Sequence, residues 1–237
     1  MKNPLSLEER LVVARRFPVH EILGNLTLLN AQNTLLSPIV QGRNYRKKNS
    51  VIIKHLADCI EAFSAVAQDD IILRYNSQRE FQEVFQRLEE SGKALLLPDV
   101  KTRFYSNRGL ETNTHLVYAM LFNLMKNSAR QKKWFSGINI TLEATPYEGQ
   151  LRNPAYISAR TPLEGKFLRI DVHDNGKGFP AGRPYGDYFR LGVSDRGGFG
   201  LYFCKLVCDI LGGHVAIDSK PGSTTVSVYH PLNSVRS

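Results

Sequence analysis

Cysteine is scarce in this chain: only Cys59, Cys204 and Cys208 occur among 237 residues. An odd, sparse count without metal-type spacing excludes a disulfide framework and fits reduced thiols in a cytoplasmic protein. Cys204 and Cys208 stand four apart on a predicted helix, where buried packing is the expected reading and a thiol or metal site the alternative. Long apolar runs are missing as well. No stretch approaches the roughly 20 residues that cross a bilayer, so no membrane span is expected. Met1 to Arg10 lacks the apolar core of an export signal. Internal repeats and low-complexity tracts are absent. What remains is the composition of an ordinary globular protein, 42% hydrophobic and 22% charged.

Charge is not balanced. The formal net charge is +9, which attracts anionic partners such as nucleotide phosphates, nucleic acid, anionic lipid or acidic proteins. The densest basic patch is Arg43, Arg46, Lys47 and Lys48, with Tyr45 interleaved. It falls in the polar stretch Gln41 to Ser50, which reads as a solvated turn. No nucleic-acid motif accompanies it, so nucleic acid is a lesser alternative that rests on the positive charge alone.

Ser6-Leu7-Glu8-Glu9 has the spacing of a capping box and predicts a short helix ending near Pro18. A second helical pattern follows, with Ile22, Leu26 and Leu29 on one face, and stops at Ser37-Pro38. After the polar turn, Ile53, Leu56, Ile60 and Phe63 form another stripe. Residues 18 to about 68 therefore read as a helical hairpin. Two helices do not bury two apolar stripes unaided, and a dimeric four-helix bundle is the economical solution; packing on the C-terminal part is the alternative. Farther on, Phe81, Val84, Phe85 and Leu88 predict a helix ending at Ser91-Gly92. Leu95 to Leu97 and Val100 to Tyr105 read as strands, and His115 to Ser128 as a helix. Alternation at Ile138, Ile140 and Leu142, and again at Phe167, Ile170 and Val172, predicts strands. A helix from Leu201 to Leu211 stops at Gly212-Gly213, and a hairpin turns at Pro221-Gly222. Strands and helices alternate without a strict βαβ rhythm, which predicts a mixed α/β sandwich rather than a doubly wound parallel sheet.

Three segments carry chemistry. On the predicted helix, Asn123 and Asn127 share a face, with Arg130 close to it. Carboxamide oxygens suit Mg²⁺, and a guanidinium complements phosphate. In Ile170 to Phe179, a strand delivers Asp174 into a turn bracketed by Gly176 and Gly178. A carboxylate there accepts from an exocyclic amine, and the glycines admit a flat base. In Arg196-Gly197-Gly198-Phe199-Gly200-Leu201, glycines lead into a helix whose free N–H groups face anions. The preceding stretch, Gly182 to Asp195, reads as a lid.

In this order the three segments resemble the ATP-binding domain of the GHKL superfamily, and histidine kinases in particular. Asn123 to Arg130 resembles the N box, Asp174 to Gly178 the DxGxG box, and Gly198 to Leu201 the second half of the GxGLGL box. The tail from Gly212 to Thr225 resembles the closing hairpin. The resemblance implies ATP and Mg²⁺ as cofactors. Asn127 would hold the metal with Asn123 beside it, and Arg130 would lie near the phosphates. Asp174 would read the adenine amine, with Gly176 and Gly178 shaping the base pocket. Gly198, Gly200 and Leu201 would border the phosphates. Arg196 stands in place of the first glycine, Phe199 in place of a leucine, and Tyr188-Phe189 is what remains of the lid motif. These departures bear on lid geometry and rate. The gyrase and chaperone branch usually has Glu where Asn123 lies, which favours the kinase branch.

His20-Glu21, early in the first hairpin helix, resembles the phosphoacceptor motif of dimerising kinase domains. A neutral imidazole is a competent nucleophile, and an adjacent carboxylate can orient it or take its proton. Gly24 and Asn25 replace the family's Thr or Asn and its Pro, so phosphatase activity is not carried over. The expected architecture is α+β. Residues 1–72 form a dimerisation and histidine-phosphotransfer hairpin, and residues 73–237 a GHKL-type α/β sandwich. The expected function is ATP-dependent phosphorylation of His20, with Glu21 assisting, in a homodimer. Transfer to the receiver domain of a response regulator follows. No sensor domain is recognised, so the signal would come from a separate sensor protein, or the chain is a piece of a longer protein. The competing reading is a dimeric phosphorelay adaptor that has lost ATP chemistry.

Overall fold

In the computed structural model the described residues are 43–68, 72–96, 99–131, 138–149, 156–157, 164–180, 182–190 and 199–232. The helices expected from Ser6 and from Pro18, with His20 and Glu21, lie outside them, as does Gly198. The chain divides into two compact units, Met1–Ile72 and Leu73–Ser237.

The first unit contains helix α1, Arg43–Gln68. The expected turn over Gln41 to Ser50 is thereby corrected: from Arg43 onward the backbone is helical. Arginine and lysine are good helix formers, and neither proline nor glycine interrupts the run from Arg43 to Gln68. Of the expected stripe, Phe63 is buried and Leu56 half-buried as read, but Ile53 and Ile60 are not. Ile52, Cys59, Phe63 and Val66 are buried, whereas Ile53 is 64% and Ile60 48% exposed. Both lines have helical spacing about 100° apart, so periodicity alone does not say which one is covered. No helix among the described residues is long and apolar enough to cross a membrane.

The second unit opens with the three-residue strand β1 (Arg74–Asn76) and helix α2 (Gln78–Ser91). Ser77 starts α2 with the reciprocal capping box: its hydroxyl takes the Glu80 N–H, and the Glu80 carboxylate takes the Ser77 N–H. Phe81, Val84, Phe85 and Leu88 are its buried face. Gly92–Leu96 continues as a π-helical turn, which corrects the strand expected from Leu95. Strand β2 (Asp99–Phe104), β3 (Leu110–Thr112) and helix α3 (Thr114–Arg130) follow. Every residue from Leu116 to Met125 is buried, so α3 is a core helix rather than a one-sided one. Then come β4 (Asn139–Glu148), β5 (Tyr156–Ile157), β6 (Lys166–Asp174), a 3₁₀ turn at Tyr185–Phe189, α4 (Phe199–Ile210), β7 (His214–Lys220) and β8 (Ser223–Pro231). Gly212, at φ 68°, takes the left-handed conformation that ends α4.

Six strands form a mixed sheet in the order β2-β4-β6-β8-β7-β5, with β1 and β3 as a separate pair. Among the described residues, β2–β4 is the one parallel pair. Helix α3 packs on β4 and β6, and α4 on β7 and β8, while the helices also pack on one another. The core lies between these layers, where Ile140, Leu142, Ile170, Val172, Val226 and Val228 are buried. This is the two-layer α+β arrangement that strict alternation along β4 and β6 requires. At the outer edge, the Glu89 carboxylate accepts the N–H and the hydroxyl of Thr102, at 3.0 and 2.6 Å.

Candidate functional site

One helix organises the site. The last two turns of α3 carry Asn123 and Asn127 on one face, and the N-terminal turn of α4 lies against that face. A methyl placed on Gly200 would come within 3.4 Å of Asn123 Oδ1 and 3.6 Å of Asn127 Nδ2. Any longer side chain at 200 would fill the space between the two helices. The Asn123 amide donates to the Ala119 carbonyl at 2.8 Å, which ties it to its own helix and leaves Oδ1 toward Gly200. Asn127 Nδ2 is buried without a hydrogen-bond partner. A buried donor without an acceptor is costly unless a ligand completes it. An oxyanion beside the first turn of α4 is the chemistry it lacks. Arg130 is exposed in the last turn of α3, and Leu201 is half-buried in the first turn of α4.

The second half of the site is the turn after β6. Asp174 ends the strand 1% exposed, and its Oδ1 accepts the Gly176 N–H at 2.8 Å. Lys177 N–H donates to the carbonyl of Gln131, which caps α3, at 3.1 Å. The turn is thus fastened to the same helix that carries Asn127. Gly176 is needed for closeness: a methyl there would lie 2.6 Å from Gln131 Cβ and 2.8 Å from Asp174 Oδ1. Gly178 is needed for conformation, with φ at +79°. Gly222 N–H donates to the Gly176 carbonyl at 2.8 Å, fixing the closing hairpin against the turn.

Some site residues carried no sequence signal of their own. Gln131 acts through its carbonyl, so its side chain type reveals nothing. Thr224, 2% exposed, stands opposite Asp174 in the β6–β8 register. Ser219 Oγ accepts the Phe179 N–H at 3.0 Å and lies 3.0 Å from Thr224 Oγ1. Both positions follow once the hairpin turn is placed at Pro221-Gly222, because 219 and 224 are then cross-strand partners. The 3₁₀ turn also contributes. Tyr185 and Tyr188 stand edge-on to Phe179, at centroid distances of 5.7 and 4.9 Å. The Tyr185 hydroxyl donates to the Ser219 carbonyl.

Cys204 and Cys208 play no part. Both are buried, with Cys204 Sγ donating to the Met120 carbonyl and Cys208 Sγ against Met120 Sδ. Burial, then the charge of Asp209, pushes the Cys208 thiol up to about 12. Among the described residues no cluster of three or more His, Cys, Asp or Glu side chains gathers into a metal site.

The family model described as "Histidine kinase-, DNA gyrase B-, and HSP90-like ATPase" matches residues 112–234. Sensor protein KdpD of Escherichia coli (strain K12) is 32% identical over 90 residues, which is 35% of this chain and 10% of that protein. The chain thus spans a small part of the length of that relative. Solved structures that are loosely similar include two histidine kinases. Acinetobacter baumannii histidine kinase AdeS is 14% identical with a TM-score of 0.49, over 92% of this chain and 97% of that one. The histidine kinase domain from the Erythrobacter litoralis EL346 blue-light activated histidine kinase is 12% identical with a TM-score of 0.47, over 81% and 89%. Likenesses this distant assign no function.

Proposed function

The chain belongs to the family of histidine kinase-, DNA gyrase B- and HSP90-like ATPases, and on that premise we propose that it is an ATP-dependent histidine kinase that phosphorylates its own His20. The observation that carries the proposal is the unpartnered Asn127 amide facing Gly200, on a helix whose end holds the Asp174 turn. A base-reading carboxylate and a phosphate-facing carboxamide are joined through one rigid element. The residues fit a nucleotide with Mg²⁺, for Asn127 has an amide to satisfy and an oxygen to offer a hard cation. Mg²⁺, when bound, neutralises phosphate charge. Asn127 would hold it, with Asn123 beside it, and Arg130 would add a positive charge near the phosphates. Gly200 and Leu201 bring N–H groups of the first turn of α4 to the phosphate oxygens, and Gly198, just before them in sequence, is assigned to the same border. Asp174 accepts from the adenine amine, and Gly176 and Gly178 let the base lie on the backbone.

In the reaction itself, a ring nitrogen of His20 attacks the γ-phosphorus. A P–N bond forms as the bond to the ADP oxygen breaks, and Glu21 takes the proton from the ring. The phosphoryl group then passes to an aspartate of a response-regulator receiver domain, the P–N bond breaking as the new P–O bond forms. Reaction requires the γ-phosphorus within about 3–3.5 Å of the imidazole. The exposed Ile53 and Ile60 support a homodimer built on the N-terminal hairpin.

The test incubates wild type and His20→Gln with labelled ATP and Mg²⁺ and examines the acid lability of the product. Acid-labile label on wild type alone is the expected result. Equal labelling of both proteins moves the acceptor elsewhere. ATP bound without labelling of either leaves the phosphorelay adaptor as the better reading.

A further inference from the structure

We propose that Ser219 is a positioning residue of the nucleotide site: by giving its proton to Thr224, it keeps the Thr224 hydroxyl a donor toward the adenine ring. The inference rests on the ATP-binding reading above. It begins from the register, which sets Thr224 directly across from Asp174. Cross-strand partners present their side chains on one face of the sheet, so a base edge that reaches the Asp174 carboxylate meets the Thr224 hydroxyl beside it. Among the described residues, Ser219 is the single hydrogen-bond partner of that hydroxyl, at 3.0 Å.

Two hydroxyls in contact hold two protons, and one of these lies between them. Ser219 Oγ already accepts the Phe179 N–H at 3.0 Å. Suppose Thr224 donates to Ser219. The Ser219 proton then has no acceptor among the described residues, and Thr224 offers only lone pairs to the site. Suppose instead that Ser219 donates to Thr224. Ser219 is then satisfied on both sides, and the Thr224 proton is free for a ligand acceptor. Adenine carries an amine donor next to a ring-nitrogen acceptor. Asp174 as acceptor and Thr224 as donor complement that pair, and only the second arrangement leaves every proton placed once the base is bound. Guanine carries a carbonyl acceptor next to a ring N–H donor and is opposed at both points. Ser219 also holds the lip of the base turn, since a methyl on Gly178 would meet its Oγ at 3.0 Å. A merely structural Ser219 would affect all nucleotides alike, whereas a polarity-setting one affects the ring-nitrogen contact selectively.

The experiment measures, by calorimetry on the full chain, the affinity for ATP relative to its 1-deaza analogue, which keeps the amine and lacks the ring acceptor. Wild type should prefer ATP by about tenfold, the equivalent of one hydrogen bond. Ser219→Ala should bring the ratio close to one, and Ser219→Thr should restore it. Thr224→Val should remove the same preference. Ser219→Cys, near-isosteric and a poor donor, reads the same ratio should the alanine variant fail to fold. An unchanged ratio in the folded Ala or Cys variant overturns the role of Ser219 and leaves ATP binding standing. A wild type that binds ATP but shows no preference does the same. A wild type that binds neither nucleotide overturns the ATP-binding reading, and this inference with it.

Discussion

The main-chain N–H of Lys177 donates to the carbonyl of Gln131, so the turn that carries Asp174 hangs from the end of the helix that carries Asn127. Neither end of the candidate site can shift without the other. The connection is backbone to backbone, so no side-chain substitution removes it directly. It is vulnerable instead to crowding at the contact.

Gly176→Ala tests that contact. Its methyl would lie 2.6 Å from Gln131 Cβ and 2.9 Å from the Gln131 carbonyl oxygen. Separations under 3.0 Å force the turn off the helix end. Overpacking of this kind costs about 1–3 kcal/mol. Urea denaturation should show that loss, and ATP affinity should fall with it. A variant as stable as wild type would mean that the turn relaxes freely.

Asp174→Asn should weaken ATP binding by about 1.5–3 kcal/mol, the worth of one hydrogen bond to a charged group. The amide can present a donor where the base also presents one. Part of the loss would come from the turn, because Asp174 Oδ1 also receives the Gly176 N–H. Calorimetry giving equal affinities would take Asp174 out of the site.

Much of the second unit was legible because its elements are long and regular. The alternation of Val215, Ile217, Val226 and Val228 around Pro221-Gly222 places a hairpin, and β7 and β8 form it. The core helix containing Asn123 and Asn127 also follows from its pattern. Strands β1 and β3 were not legible, since three residues are too few to establish a period. They are held instead by Asn76, whose amide donates to the carbonyls of Leu110 and Thr112. Leu95 and Leu96 read as strand because three leucines in a row suit either buried state; Gly92, crowded by Met125 and Val100, continues the helix into a wider turn. In α1 two apolar lines compete, and burial selects the one through Ile52 rather than Ile53. Of the candidate site, the residues with distinctive side chains were legible and the carbonyl and hydroxyl contacts were not.

Ile53→Glu combined with Ile60→Glu should dissociate a homodimer while leaving the ATP-binding unit folded. Both side chains are exposed in the single chain, so charge costs little there unless a second copy covers them. Light scattering should report a dimer for wild type at micromolar concentration and a monomer for the variant. A monomeric wild type would count against the bundle.

Glu89 gives a pH dependence. Burial raises its carboxyl, but hydrogen bonds from Lys93 and Thr102 outweigh this and hold it below the usual value. A depressed folded-state value contributes stability above the unfolded value of about 4.3 and loses it as pH falls through the folded one. Glu89→Gln should therefore cost about 1 kcal/mol at pH 7, with solvent exposure of the pair taken into account. The gap should close as pH falls through the folded-state value. Denaturation of both proteins across pH 3 to 7 measures it, and a gap independent of pH would exclude the carboxylate as its source.

Cys204 and Cys208 should resist a thiol reagent at pH 8. Burial first, then the neighbouring Cys208, pushes Cys204 well above an ordinary thiol, and Cys208 is pushed up to about 12. Thiolate is the reactive species, so labelling should be limited by unfolding. Rapid modification of both in the native protein would place them at an accessible surface.

The contact between Glu89 and Thr102 also bears on how copies of this chain meet. Strand β2 borders the six-stranded sheet, and its Thr102 N–H points away from β4. An unpaired N–H in mid-strand is a template on which a foreign strand can add and extend the sheet. Here a carboxylate already occupies it. A peptide approaching this border would have to displace a charged acceptor before making its first main-chain bond. Strand exchange along β2 is thereby discouraged, and association is directed to surfaces recognised by side chains, where a partner can be selected by sequence.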